Sequence, residues 1–130
     1  MRFSYLFAGF LLILSVFTST SCHKTSENDP TVSITSPAVD EQFANELPIK
    51  LTGSVSDADG LHSMTIKVTD DKSGVVLFTK SPNVLNLKTY SFSESWTPKV
   101  TDWVDATVTV VAENHGAKQT TQTVKVKIWL

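Results

Sequence analysis

The sequence predicts an all-β protein, an antiparallel β-sandwich of about seven strands preceded by a signal peptide. Three observations carry that expectation. Beyond residue 30 the chain is rich in Thr, Val and Ser and poor in the long unbranched residues that favour helices. Its apolar residues recur with period two, the pattern of a strand with one face on a core. Clusters of Asp, Asn, Gly, Ser and Pro break the pattern at intervals of about ten residues, the spacing of short strands joined by turns.

Taken in order, the first strand holds Val32 and Ile34, alternating with polar residues and stopping at Ser36-Pro37, as an edge strand ended by proline would. Leu47, Ile49, Leu51, Gly53 and Val55 keep period-two spacing up to the turn Asp57-Ala58-Asp59-Gly60. Met64, Ile66 and Val68 mark the next strand, closed by DDKSG at residues 70–74. Residues 75–79 form a short apolar strand before Ser81-Pro82-Asn83, and Tyr90, Phe92 and Trp96 share a parity over residues 89–97. The clearest alternation is Ala106, Val108, Val110 and Ala112, turned by Asn114-His115-Gly116. Val124, Val126, Ile128 and Leu130 complete the chain. Lys125 and Lys127 take the opposite face of that last strand, a charge placement that discourages edge-to-edge association.

Ahead of this lies a leader of different character. Arg2 is followed by an apolar run over residues 6–17 and then by Ser19-Thr20-Ser21-Cys22, the order of a secretory signal. The run is short of the roughly 20 residues a helix needs to cross a bilayer, which weighs against a permanent membrane span. Cleavage to a soluble secreted form is a second alternative. Cys22 tips the balance. As the single cysteine it has no internal disulfide partner, and a bare thiol is a liability in an oxidising compartment. Residues 19–22 resemble the lipobox of bacterial lipoproteins, in its polar Bacteroidetes form with Ser where Leu and Gly or Ala are commoner. The resemblance implies removal of residues 1–21 and lipidation of Cys22 by acyl chains such as palmitate. Two chains hold firmly where one is marginal, at ~0.8 kcal/mol per buried methylene. Residues 22–30 then form a polar tether, since HKTSENDP at 23–30 contains nothing suited to a core and spans on the order of 25 Å when extended. The place implied is the bacterial cell envelope, at the periplasmic or surface face of the outer membrane.

Residues 31–130 suffice for one modest domain. Arg2 is the sole arginine, and beyond it ten lysines face thirteen acidic residues. This excludes the clustered basic surface that nucleic-acid binders use, and equally a polybasic membrane patch.

The segment ATVTVVAENHG at residues 106–116 resembles the penultimate strand and turn of fibronectin type III and bacterial Ig-like domains. Ser36-Pro37 and VSDADG at 55–60 resemble the latter, including cadherin-like members. Two departures are the alanine at position 106, where those domains often carry tyrosine, and the absence of paired cysteines. With the polar lipobox, the whole is similar to small Bacteroidetes lipoproteins carrying one Ig-like domain. The resemblance implies a non-catalytic module for protein interaction or structural spacing at the envelope. The alternative is a glycan-binding surface lipoprotein of a polysaccharide-uptake system. Its partners are the membrane, through the anchor, and an envelope protein or glycan.

Candidate sites are few. Asp57 and Asp59 beside Gly60 offer oxygen ligands to Ca²⁺, but an EF-hand wants glycine sixth and an acid twelfth, and Val68 stands twelfth here. A cadherin-like Ca²⁺ site at one end of the sandwich is the remaining calcium reading. The plainer reading, that Asp and Gly make the turn, is preferred. His62 and His115 fall short of the three or four ligands of a zinc site, and His23 lies in the tether. No metal or other cofactor is expected. No serine sits in a Gly-x-Ser-x-Gly elbow and no carboxylate pair stands out, so no catalysis is expected. Among the tryptophans, Trp96 reads as core, and Trp103 and Trp129 are the candidate binding residues. Exposed aromatic planes at those positions can stack on a sugar or anchor a protein partner.

Overall fold

The computed structural model describes residues 28–130. The expected signal peptide, the lipidated Cys22 and most of the tether fall outside the described residues.

The described chain is all β, with eight strands: β1 Thr31–Ser36, β2 Glu41–Ala44, β3 Ile49–Ser56, β4 Leu61–Asp70, β5 Val76–Lys80, β6 Thr89–Trp96, β7 Val104–Asn114 and β8 Gln119–Trp129. They form a sandwich of two sheets, ordered β1-β3-β6 and β2-β8-β7-β4-β5. The strand beyond the expected seven is β2. It carries one large apolar residue, Phe43, and so has no periodicity to announce it. It pairs in parallel with β8, Glu41 opposite Val126 through Ala44 opposite Trp129. Over Val126–Trp129 the last strand is therefore interior, so β2 lies beside Lys127 where the sequence suggested an open edge. Leu47 also departs from expectation. It lies before the start of β3 and is exposed, because the chain is still turning at residues 45–48.

The core follows the alternation. Ile49, Leu51 and Val55 of β3 and Phe92 of β6 face Met64, Ile66 and Val68 of β4. The even-numbered apolar residues of β7 and β8, from Ala106 to Ile128, complete the same cluster. Leu61 and Val84 are fully buried beside it. Gly53 has the inward parity of Leu51 and Val55, and the ring of Phe92, its partner across β6, fills the space its missing side chain leaves.

The strands give the sandwich two distinct ends. At one, Thr31 enters opposite Ser56, and the β3–β4 and β7–β8 turns close the strands. This entry end is locked by a polar knot. Asn114 donates from Nδ2 to the carbonyl of Asn28 (2.8 Å) and to Asp57 Oδ2 (3.0 Å), and Thr120 donates to the carbonyl of Pro30 (2.5 Å). At the far end lie residues 45–48, the β4–β5 hairpin and the long loop 97–103.

Candidate functional site

A concavity opens at the far end, between the β4–β5 hairpin and loop 97–103. Each wall is held mainly by hydrogen bonds from side chains. In the hairpin, Asp70 accepts at Oδ1 from the amides of Lys72 (2.8 Å) and Ser73 (3.3 Å) and at Oδ2 from the Ser73 hydroxyl (2.6 Å). Gly74 closes the turn at φ 72°, a conformation that side chains resist. In the facing loop, Asn45 clasps Val100 through both backbone groups, donating to its carbonyl and accepting from its amide, each at 2.9 Å. Trp103 then donates its amide to Asp102 Oδ1 (2.8 Å). The amide of Asp71 reaches the carbonyl of Asp105 (2.9 Å), tying the hairpin to the start of β7.

The resulting cleft has a volume of ≈ 690 Å³. Val75, Leu77, Val100 and Val104 supply its apolar lining. Asp70, Asp71, Asp102 and Asp105 contribute carboxylates, while Lys72 and Lys99 contribute ammonium groups. Trp103 stands at its rim, 68% exposed. A smaller hollow of ≈ 190 Å³ adjoins it, where Trp103 and Asp105 meet Lys127.

The four carboxylates are not equivalent. The Ser73 hydroxyl first, and then the Lys72 amide, hold Asp70 below the usual carboxylate range. Asp71 is lowered chiefly by its hydrogen bond from Lys125 (2.7 Å) and next by the Thr107 hydroxyl. Asp102 has one oxygen engaged by Trp103, and neither its second oxygen nor the Asp105 carboxylate has a hydrogen-bond partner among the described residues. A depressed folded-state pKa means that Asp71 stabilises the fold above its unfolded value of about 3.9, and that the contribution fades as pH falls through the folded value. Asp71→Asn is therefore expected to lower stability at pH 7 by less than about 1 kcal/mol, in keeping with an exposed ion pair. Thermal melts from pH 7 downward should show the variant and parent converging below about pH 4.

Of the two tryptophans singled out from sequence, Trp103 lines this cleft. Trp129, 41% exposed, lies opposite Ala44 on the β2–β8 ladder and does not line it. Trp96 is half-buried, its ring 6.1 Å from that of Phe78 and packed against the core. At the entry end Asp57 is buried, with Oδ1 accepting from the Asp59 amide (2.9 Å) and Oδ2 from Asn114. Oδ1 thus serves the turn, and Oδ2 ties it to the end of β7. His62 and His115 meet edge to face, centroids 5.4 Å apart, with His115 Nε2 2.8 Å from Asn86 Oδ1. Among the described residues no three His, Cys, Asp or Glu side chains are grouped to hold a metal.

Sequence reasoning missed the convergence of the carboxylates. Residues 70–71 and 102–105 lie far apart in the chain, and the pairing of Asp70 with Ala106 brings them together. Both segments were readable as strand ends, so the available signal was the pairing of β4 with β7.

The family profile of the bacterial Ig domain matches residues 30–126. The chain belongs to the bacterial Ig domain family. Among solved structures, this Ig domain is similar to the fibronectin(III)-like modules of CbhA from Clostridium thermocellum, with 12% identity and a TM-score of 0.50 over 76% of this chain and 96% of that one. It is also similar to murine CRIg, with 10% identity and a TM-score of 0.47 over 78% and 98%. No curated protein matches the sequence of this Ig domain. The CbhA likeness is one of fold.

Proposed function

We propose that this Ig domain is a lipid-anchored interaction module of the bacterial envelope, held at the outer membrane by Cys22, that binds through its far end and performs no chemistry. The observation that carries the reading is the opposition of the two ends. Residues 28–30 are bound at one end by Asn114 and Thr120, and the Trp103 cleft opens at the other. A domain tethered by residues 22–30 would point that cleft away from the bilayer. A spacer alone has no need of such a concavity, and this favours binding over structural spacing.

The state of Asp70 and Asp71 supports binding over catalysis. A general acid at neutral pH needs a raised pKa. Asp70 and Asp71 are shifted the other way, and their oxygens are committed to the hairpin and to Lys125 and Thr107. The partner sought is an envelope protein or glycan.

Mass spectrometry of the native protein tests the anchor. The expected species lacks residues 1–21 and carries acyl chains on Cys22, and Cys22→Ala shifts the protein out of the membrane fraction. A bare thiol or a retained leader would overturn the placement.

A further inference from the structure

We infer that the far-end cleft is a carbohydrate site, taking a short neutral oligosaccharide with Trp103 as its stacking platform. This deepens the binding reading above and depends on it.

Size is the first argument. A volume of ≈ 690 Å³ falls within the range of about 300–1,000 Å³ typical of small-ligand pockets, whereas a protein partner docks over a broad surface of roughly 800 Å² per side. The second is the indole. Trp103 presents most of its surface to water, between the main cleft and the smaller hollow. A pyranose ring has an apolar face of C–H groups that can cover such a plane, and its rim of hydroxyls must still be satisfied when it does so.

The third argument is the mixture of groups beside that plane. Asp102 retains an oxygen, and Asp105 a whole carboxylate, without a hydrogen-bond partner among the described residues. These are acceptors only, whereas Lys72, Lys99 and Lys127 are donors only. A sugar hydroxyl both donates and accepts, so it can bridge a carboxylate and an ammonium at once. An anionic ligand meets four aspartates. A cationic one meets three lysines. A neutral polyol uses both signs without repulsion from either.

The test uses the full-length protein in micelles of a detergent without a sugar headgroup, titrated with cellohexaose, maltohexaose and laminarihexaose, and separately with hexalysine. Binding is read by tryptophan fluorescence and calorimetry. At least one neutral hexasaccharide is expected to bind, with an affinity little changed by about 0.5 M salt because no net charge is paired. Trp103→Ala should weaken it about tenfold at an unchanged melting temperature, Trp103→Phe should restore part of the loss, and Trp129→Ala should leave it intact. Absence of saccharide binding, or binding that survives Trp103→Ala, overturns the carbohydrate assignment. Trp103-dependent binding of hexalysine alone overturns it too, while leaving the far-end binding role standing. Specific capture of an envelope partner at the entry end, indifferent to Trp103→Ala, would remove both.

Discussion

Gly53→Ala is expected to destabilise the domain by about 3 kcal/mol or more, the upper range for overpacking a core. Gly53 sits in the central strand of the three-stranded sheet, opposite Ile34 on β1 and Phe92 on β6. The reason is steric, since among the described glycines only Gly60 and Gly74 have positive φ values. A Cβ at this position would collide with the Ser33 carbonyl oxygen and come within 2.5 Å of Phe92 Cζ and 2.9 Å of its Cε1. The carbonyl belongs to a neighbouring strand, and the ring is 3% exposed and enclosed by core. Neither can yield without opening β1 or the sandwich. Against a total stability of roughly 5–15 kcal/mol, such a loss leaves much of the population unfolded on modest heating. Urea unfolding should show a lower midpoint. Adding Phe92→Leu should cost less in the Gly53→Ala background than alone, because the two side chains compete for one space. Strict additivity would show that the ring does not occupy the site.

Asn114→Ala is expected to cost about 2–4 kcal/mol, through the loss of a buried polar hub. Asn114 is 1% exposed and closes β7. Its Oδ1 accepts from the amides of Gly116 (2.9 Å) and Lys118 (3.1 Å), and its Nδ2 serves Asp57 and Asn28. Alanine would strip a donor from the carboxylate of Asp57, itself 6% exposed, and deprive two turn amides of their acceptor. Denaturant unfolding measures the first loss, and faster hydrogen exchange at residues 116 and 118 reports the second. In an Asp57→Ala background the penalty should shrink, because the acceptor that Asn114 serves is already gone. A cost below about 0.5 kcal/mol, the range of ordinary surface substitutions, would mean that water replaces the hub.

Most of the fold was legible because burial on one face writes itself into alternate positions. β3, β4, β7 and β8 follow the spacing of Ile49 to Val55, Met64 to Val68, Ala106 to Ala112 and Val124 to Ile128. β2 was not legible, since four residues with one aromatic carry too little period, and its partner is chosen by where the chain crosses between sheets. The site was half legible. Trp103 stood out as an aromatic before a strand, but the cleft around it depends on strand pairing and on the Asn45–Val100 clasp across 55 residues, which no local pattern encodes. The meeting of His62 with His115 was hidden for the same reason.

The first strands of the chain have a mechanical consequence. Thr31–Ser36 runs from the entry end along β3, and after the turn at residues 37–40 Glu41–Ala44 continues to the far end beside β8. If residue 30 were pulled while the far end was gripped, tension would run along both ladders, and their hydrogen bonds would resist sliding together. They would not open one at a time like a zipper. A load carried between the proposed anchor and a ligand at the far end would run along this line.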